Sequence, residues 1–240
     1  MIICAAVFFF RNFAGQTDDL KVTEKCNTVL FDLDGTLLNT LGDLHASVNH
    51  ALVACGYPPR SLDEVRRFVG NGVRRLMERA VPRGIGGEAF ETVFQAFRTH
   101  YMAHCFDTTA PYAGIVGALA ELHRRGYRLG IVSNKLQPAV SELHRRFFAD
   151  TVAVAIGDRP GMRRKPAPDT LFEAMRRLDA RPDGTVYVGD SDVDIATARA
   201  AGVACLSVLW GFRSRDELVS AGAGRLLASP EDLPGCFPEK

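Results

Sequence analysis

The stretch from Thr28 to Leu38 most strongly limits what this chain can fold into. Its first four residues, Thr-Val-Leu-Phe, predict a strand that is buried on both faces of a parallel sheet. Asp32 and Asp34 follow at the period of a strand, so their carboxylates point to one side of the chain, where Gly35 permits a sharp turn. Carboxylates this close repel each other, and we expect them to share a proton or a hard cation such as Mg²⁺.

The composition is typical of a globular protein without a general affinity for nucleic acid or membranes. The chain has 240 residues, 47% of them hydrophobic and 24% charged, enough for one large domain or two modest ones. Its 29 basic residues nearly balance its 28 acidic ones, so we expect no nucleic-acid or membrane partner. The six cysteines include no Cys-x-x-Cys pair, which predicts reduced thiols and a cytoplasmic protein.

Residues 1–26 precede the strand and form an N-terminal extension. The first ten residues are apolar, but a bilayer span needs roughly 20 such residues, and no basic segment precedes the run. We therefore expect neither a membrane anchor nor an export signal there. A poorly ordered tail, a start codon placed too far upstream and an added packing arm remain alternative interpretations.

Residues 42–106 show a helical rather than a strand-like pattern. Ser61 and Glu64 have the spacing of a capping box at the start of one helix. Helical periodicity also covers residues 44–53, 73–80 and 88–101. Because a single helix suffices to connect two parallel strands, this long segment predicts a small α-helical cap domain inserted into an α/β core. The core then comprises residues 27–41 and 107–240.

Strands and helices alternate in the second part of the core. The strands are predicted over residues 127–132, 151–156, 185–188 and 203–208, and the helices over residues 115–125, 138–147, 169–178 and 192–201. This alternation predicts an α/β fold with a doubly wound parallel sheet and helices on both faces. Ligands of such sheets bind outside the carboxyl ends of the strands.

Polar residues follow three of these strands at that edge. Ser133 and Asn134 come after the first, and both suit an anion. Lys165 lies in a basic loop after the second and supplies a cation. The third is followed by the acidic segment 189–194, which contains Asp190, Ser191 and Asp194. We expect all three groups to face the same crevice as the two carboxylates that follow the first strand.

The segment Asp32-Leu33-Asp34-Gly35-Thr36 resembles the first motif of the haloacid dehalogenase-like hydrolases. Ser133, Lys165 and the pair Asp190 and Asp194 match the other three motifs of that superfamily, in the same order along the chain. The resemblance covers roughly residues 27–233. It implies a Rossmann-like core in which the first aspartate is a nucleophile that becomes phosphorylated and the second is a general acid and base.

A phosphate monoester dianion is repelled by a carboxylate nucleophile, so attack by Asp32 requires positive charge nearby. Mg²⁺ held by Asp32, the backbone carbonyl of Asp34 and Asp190 would supply most of it, because this ion prefers oxygen ligands. Lys165 adds a second charge against a phosphoryl oxygen. Asp34 first protonates the leaving alkoxide and later takes a proton from water.

The remaining motif residues are predicted to hold the phosphate or to support the loop. Ser133, Asn134 and the backbone near Gly35 are expected to bind the other phosphoryl oxygens. We place Thr36 at the phosphate too, where it orients Asp34 or supports the loop. Two residues are expected to support the metal ligands from behind: Asp194 and Ser191.

The helical insert resembles the small cap of the phosphoglycolate phosphatase and β-phosphoglucomutase branch. Residues 68–73, 197–203 and 210–213 are similar to phosphoglycolate phosphatases in particular. The resemblance implies a cap that closes over the crevice, with Asn71 and Gly72 in a loop that faces the substrate. Arg74 or Arg75 would then reach a substrate carboxylate; the alternative interpretation places both on the solvated face of a cap helix.

The sequence therefore predicts a Mg²⁺-dependent phosphatase that acts on a small phosphorylated metabolite through a phosphoaspartate. Asp34 argues against a haloacid dehalogenase, since displacing halide requires no proton donor. A phosphomutase would keep all of these residues and remains an alternative. A non-catalytic binding protein on the same fold is a further alternative, although no motif residue has been lost. The oligomeric state is left open.

Overall fold

The structure is a computed structural model that describes residues 25–240. Its strands are β1 (Thr28–Phe31), β2 (Leu38–Asn39), β3 (Ala110–Pro111), β4 (Arg128–Leu136), β5 (Val154–Asp158), β6 (Thr185–Gly189), β7 (Ala204–Val208) and β8 (Leu226–Leu227). Its helices are α1 (Leu41–Ala54), α2 (Leu62–Phe68), α3 (Val73–Ala80), α4 (Gly87–His104), α5 (Ile115–Arg124), α6 (Gln137–Phe147), α7 (Asp169–Arg177), α8 (Asp192–Ala201) and α9 (Arg215–Ser220). Short 3-10 turns cover Pro182–Gly184, Pro230–Asp232 and Pro234–Cys236.

Six strands form one parallel sheet in the order β5-β4-β1-β6-β7-β8. Side chains alternate across it, as the strand period requires. In β1, Val29 and Phe31 join the hydrophobic cluster of α5 and α6, whereas Leu30 joins that of α7 and α8. Helices thus cover both faces, which confirms the predicted doubly wound α/β fold.

Several element boundaries differ from those predicted. Strand β4 runs on to Leu136, four residues past the predicted end, with an irregularity in its pairing after Val132. Strand β5 begins three residues later than expected, at Val154. Helix α9 and the two-residue strands β2, β3 and β8 were not predicted, because such short elements leave no periodic signal.

The four helices α1–α4 pack around a hydrophobic cluster of their own. Helix α1 contributes Leu44 and Val48, and helix α4 contributes Phe94 and Phe97. Phe212, which follows β7, also belongs to this cluster and links it to the core. A separate apolar cluster is the expected feature of an inserted cap, and the boundaries at residues 42 and 106 stay a prediction.

The two connections between the core and these helices are tied together. Strand β2 pairs with β3 in an antiparallel ladder, Leu38 opposite Pro111. Beside it, the buried carboxylate of Asp43 accepts four hydrogen bonds. Thr108 donates its N–H at 2.8 Å and its hydroxyl at 2.5 Å, and Thr109 donates the same two groups at 3.0 and 2.7 Å. The start of α1 is thereby fixed to the chain that returns from α4.

Other expectations concern thiols, membrane spans and the N-terminus. The five cysteines within residues 25–240 are free thiols, as predicted, and Cys4 lies outside the described residues. No helix in that same range combines the length and the apolar character needed to cross a bilayer. The interpretations of the apolar run at residues 1–10 concern residues outside those that the structure describes.

Replacing Asp43 with alanine is expected to destabilise the protein by about 2–3 kcal/mol, because four donors lose a charged acceptor. Urea unfolding measures this value. The matched control is Asp63→Ala, since the Asp63 side chain is 70% exposed and, among residues 25–240, pairs only with Arg66 on the same helix. We expect the control to stay within about 0.5 kcal/mol of wild type. A loss of less than about 1 kcal/mol for Asp43→Ala would contradict this account.

Candidate active site

The site lies at the carboxyl ends of β1, β4 and β6, which are neighbours in the sheet. Asp32 follows β1, Ser133 lies in the last part of β4, and Asp190 follows β6. The N–H of Asp32 donates to Val188 O at 2.9 Å, which continues the strand pairing up to the first carboxylate. The sheet therefore brings these three predicted residues together at one edge, as expected for a doubly wound fold.

The loop after β1 turns sharply at Gly35. Its φ of +89° is a conformation that favours glycine, and a Cβ there would clash with the carboxylate of Asp190. The N–H of Gly35 donates to Leu38 O at 2.9 Å. That N–H is therefore occupied within the loop, and a contact of Gly35 with phosphate stays a prediction.

Lys165 lies at the centre of the site with its ammonium group buried. Its Nζ is 2.8 Å from Asp32 Oδ1, 2.8 Å from Asp194 Oδ1 and 2.9 Å from the hydroxyl of Tyr187. Burial lowers the pKa of Lys165, but the charges of Asp194 and Asp32 outweigh it, so the net pKa is raised. Lys165 is therefore a fixed cation beside the predicted nucleophile. No motif marks Tyr187, which is an ordinary buried residue of strand β6.

Three buried carboxylates surround this single ammonium group. Oxygens of Asp32, Asp190 and Asp194 all lie within 4.8 Å of one another. Burial raises the pKa of Asp32 well above its usual range, and repulsion from Asp194 adds to this against the opposing charge of Lys165. Burial likewise raises the pKa of Asp190 to about 7, with Asp194 as the next contribution. Lys165 alone therefore does not balance the negative charge of the three carboxylates.

The free oxygens of this cluster fit a divalent cation. Asp194 is committed to other partners, since it accepts from Lys165 and Tyr187 and also from the N–H and hydroxyl of Ser191. Both bonds to Asp32 fall on Oδ1, which leaves Oδ2 without a partner among residues 25–240. In the same range, Asp190 has no ion pair. Carboxylate oxygens in this state suit Mg²⁺.

Asp190 is held by backbone and hydroxyl groups. The N–H of Phe212 donates to its Oδ2 at 2.7 Å, and the hydroxyl of Thr36 donates to its Oδ1 at 3.3 Å. Among the described residues, the hydroxyl of Thr36 bonds to Asp190 rather than to Asp34, and its contact with the phosphate stays a prediction. Gly211 packs so closely that a Cβ there would lie 2.5 Å from Gly35 O.

Ser133 and Asn134 have different surroundings at the end of β4. Ser133 is buried and lines the pocket, and its Oγ accepts from the N–H of Lys135 at 3.1 Å, which leaves its own proton to donate. The amide of Asn134 donates to Gly70 O at 3.1 Å and to Lys165 O at 3.0 Å, and it accepts from Lys165 N at 2.8 Å. Its side chain thus positions the backbone of Lys165, and phosphate binding by Asn134 stays a prediction.

Asp34 pairs with a lysine that the sequence analysis did not select. Lys135 Nζ lies 2.9 Å from Asp34 Oδ1, and the hydroxyl of Tyr101 contacts the same ammonium group. Burial lowers the pKa of Lys135, but Asp34 and Tyr101 outweigh it, so the net pKa is raised. Lys135 directly follows Ser133 and Asn134 in the sequence, and this position next to a motif is the feature that points to it.

A pocket opens between this edge of the sheet and the cap helices. Its polar lining residues include Asp32, Asp34, Tyr101, Ser133, Asn134, Lys135, Lys165, Asp190 and Ser191. The rest of the lining is Leu44, Val69, Gly70, Gly72, Val73, Leu76, Phe212 and Arg213. Arg213 joins the two parts, donating to Val69 O at 2.6 Å and to Arg66 O at 3.2 Å. Gly72 faces the pocket as predicted for the cap loop.

Two of the predicted specificity residues do not line this pocket. Arg74 forms two hydrogen bonds to Glu91, at 2.8 and 3.0 Å, and its guanidinium lies over the ring of Phe94. Asn71 accepts a hydrogen bond from Arg79 at 2.8 Å. Both side chains form contacts on the cap surface here, and their contact with the substrate stays a prediction.

Comparisons with known proteins show the family to which the chain belongs. A family model described as haloacid dehalogenase-like hydrolase matches residues 29–208. The chain is 32% identical over 218 residues to phosphoglycolate phosphatase 1 of Pseudomonas aeruginosa, across 87% of this chain and 78% of that protein. It is 38% identical over 189 residues to the phosphoglycolate phosphatase of Cereibacter sphaeroides, across 77% and 86%.

Solved structures share the fold. A protein from Lactobacillus delbrueckii subsp. bulgaricus has a TM-score of 0.83 at 31% identity, over 87% of this chain and 96% of that one. CbbY from Rhodobacter sphaeroides, solved in complex with phosphate, has a TM-score of 0.71 at 27% identity, over 87% and 96%.

Adding a methyl group at Gly211 is expected to lower the free energy of unfolding by about 1–3 kcal/mol. The reason is overpacking, since a Cβ at this position meets Asp190 and the backbone of the Gly35 turn. The matched control is Gly224→Ala, because nothing lies within 4 Å of a Cβ there. Thermal or urea unfolding of both variants measures the difference. Equal stability of the two variants would show that this contact yields without strain.

Proposed function

Since this chain belongs to the haloacid dehalogenase-like hydrolases, we propose that it hydrolyses 2-phosphoglycolate, or a small phosphate monoester much like it, through a phosphoaspartate on Asp32. The observation that carries the proposal is the state of the Asp32 carboxylate. Oδ1 is held by Lys165 and by the N–H of Leu33, and Oδ2 is free at the edge of the pocket. An oriented carboxylate with one free oxygen is suited to nucleophilic attack.

In the first half of the reaction, the Asp32 carboxylate attacks phosphorus and the bond between phosphorus and the leaving oxygen breaks. Asp34, in its protonated form, gives its proton to that oxygen, so that an alcohol leaves. The Oγ of Ser133 accepts a hydrogen bond from the N–H of Lys135, so the hydroxyl proton can be donated to a phosphoryl oxygen. Lys165 keeps positive charge beside the Asp32 oxygen throughout.

In the second half, a water molecule attacks the phosphorus of the phosphoaspartate. Asp34 takes a proton from this water, the bond between Asp32 and phosphorus breaks, and inorganic phosphate is released. Asp34 thereby regains the proton that it gave away. The cap residues over the pocket limit the access of water, which favours completion of the first half before hydrolysis.

Asp32, Asp190 and the backbone carbonyl of Asp34 are the groups proposed to hold Mg²⁺. In the described part of the chain, Lys165 pairs with Oδ1 of Asp32, and Oδ2 of Asp32 has no cation partner. Within residues 25–240, neither carboxylate oxygen of Asp190 has one. Bound there, Mg²⁺ supplies the positive charge that keeps the carboxylates ionised and reduces repulsion of the phosphate dianion. Asp194, fixed by Lys165 and Tyr187, supports the site from behind.

The choice of phosphoglycolate rests on the names of the relatives. A cytoplasmic location is part of the same proposal. Initial rates of phosphate release from a panel of small phosphate esters test the substrate. We expect a metal-dependent rate that strongly favours 2-phosphoglycolate. Comparable rates across the panel would rule out 2-phosphoglycolate as the preferred substrate. Transfer of the phosphoryl group to a sugar phosphate instead of to water would favour the phosphomutase.

Replacing Asp32 with asparagine is expected to reduce phosphate release by at least about 10³-fold, because the nucleophile is lost. The circular dichroism spectrum should be unchanged. The control is Asp183→Asn, since the Asp183 side chain is 64% exposed and its one ion pair within the described part of the chain is with Arg181. Substantial turnover by Asp32→Asn would rule out the phosphoaspartate mechanism.

Mg²⁺ is expected to raise the Tm of the wild-type protein in the absence of substrate, since a ligand that binds only the folded state stabilises it. In Asp190→Asn this shift should be largely lost, while Asp183→Asn should keep it. Differential scanning fluorimetry over a Mg²⁺ titration, with EDTA as the reference, gives both values. An undiminished shift in Asp190→Asn would mean that the metal binds elsewhere.

A further inference from the structure

Lys135 is a buried cation at the pocket that the proposed mechanism does not use. It lies on β4 between the core and the cap, and 5% of its surface is exposed. Its Nζ is 2.9 Å from Asp34 Oδ1. No other carboxylate among residues 25–240 forms an ion pair with it. A lysine buried this completely is rarely found without a specific partner.

The single bond to Oδ1 determines how the carboxyl group of Asp34 is presented. Within the described chain, Lys135 is the one residue that bonds to the side chain of Asp34, and Oδ2 has no partner. The side chain of Asp34 is 17% exposed and lines the pocket. Holding Oδ1 therefore leaves Oδ2 as the oxygen that can exchange a proton with substrate or water.

Tyr101 fixes the ammonium group from the other side. Its hydroxyl accepts a hydrogen bond from Lys135, and its ring centroid lies 5.0 Å from the same nitrogen. Tyr101 belongs to α4 and stacks on Phe97 at a centroid distance of 5.3 Å, inside the cluster of the cap helices. The ammonium group is thus fixed between a residue of the core and a residue of the cap.

We propose that Lys135 is a positioning residue that orients the carboxyl group of Asp34 for both proton transfers, and that Tyr101 fixes Lys135 for this task. This inference rests on the proposed function, in which Asp34 is the general acid and base. Without Lys135, Asp34 loses the one side-chain bond that it has in the described residues and can rotate away from the reacting atoms. Misorientation of a catalytic group by a small distance lowers the rate of its step sharply.

The inference is tested with two esters that differ in their need for a proton. The alkoxide of 2-phosphoglycolate must be protonated as it leaves, whereas nitrophenolate leaves 4-nitrophenyl phosphate without a proton. The kcat/KM reports formation of the phosphoaspartate. In Lys135→Met, which keeps the length of the side chain but not its charge, we expect kcat/KM to fall about 10²-fold for 2-phosphoglycolate and less than about threefold for 4-nitrophenyl phosphate.

Hydrolysis of the phosphoaspartate needs Asp34 as the base whichever ester formed it. The kcat of Lys135→Met should therefore fall with both esters, and 4-nitrophenyl phosphate should give a burst of nitrophenolate followed by slow turnover. Tyr101→Phe keeps the ring and loses the hydroxyl, so it should show the same ester preference with a smaller loss. This milder variant also provides the test if Lys135→Met does not fold.

The control is Lys25→Met, an exposed lysine remote from the pocket, which should match wild type with both esters. Equal loss of kcat/KM with both esters in Lys135→Met would overturn the positioning role, because a merely structural residue would affect both esters alike. A raised KM for 2-phosphoglycolate with unchanged kcat would overturn it too, because Lys135 would then bind the substrate carboxylate. A Tyr101→Phe variant equal to wild type would remove Tyr101 from the proposal.

Asp34→Asn separates failure of this inference from failure of the proposed function. If Asp34→Asn shows the strong ester preference and Lys135→Met does not, the positioning role is wrong and the acid-base role of Asp34 stands. If Asp34→Asn shows no ester preference, the acid-base role itself is wrong, and the role of Lys135 falls with it.

Discussion

The repulsion among three buried carboxylates is the constraint on which the rest of the site depends. Asp32, Asp190 and Asp194 are at most 8% exposed and lie within 4.8 Å of one another. Burial of several like charges is very unfavourable unless cations and hydrogen bonds offset it. Lys165 offsets part of it through its contacts with Asp32 and Asp194. The uncompensated remainder is what makes the site suited to a divalent cation.

The surrounding backbone is shaped by the need to approach these carboxylates closely. Gly35 and Gly211 both pack against Asp190 where no Cβ fits, and the N–H of Phe212 completes the shell of that carboxylate. Hydrogen bonds from the backbone and from Thr36 offset part of the desolvation cost of Asp190. The loop after β1 and the loop after β7 are thus parts of one site, although they are far apart in the chain.

The cap meets the core through the same residues that shape the site. Asn134 binds Gly70 of the cap loop and the backbone of Lys165, and Arg213 binds the backbone at the end of α2. Tyr101 reaches Lys135 from α4. A change in the position of the cap would therefore alter the surroundings of Asp34 and Lys165. The geometry of the reacting groups and the position of the cap are physically linked.

The sequence by itself determined the order of the longer strands and helices and the acidic, basic and hydroxyl residues of the four motifs, because local periodicity and motif spacing are sufficient for both. It did not reveal which groups pair, since pairing joins residues distant in the chain. Lys135 and Asp34 are 101 residues apart, and Thr36 and Asp190 are 154 apart. Only the tertiary structure decided which protein groups Asn134, Thr36 and Arg74 bond to, because burial and competing partners exist only in the folded chain.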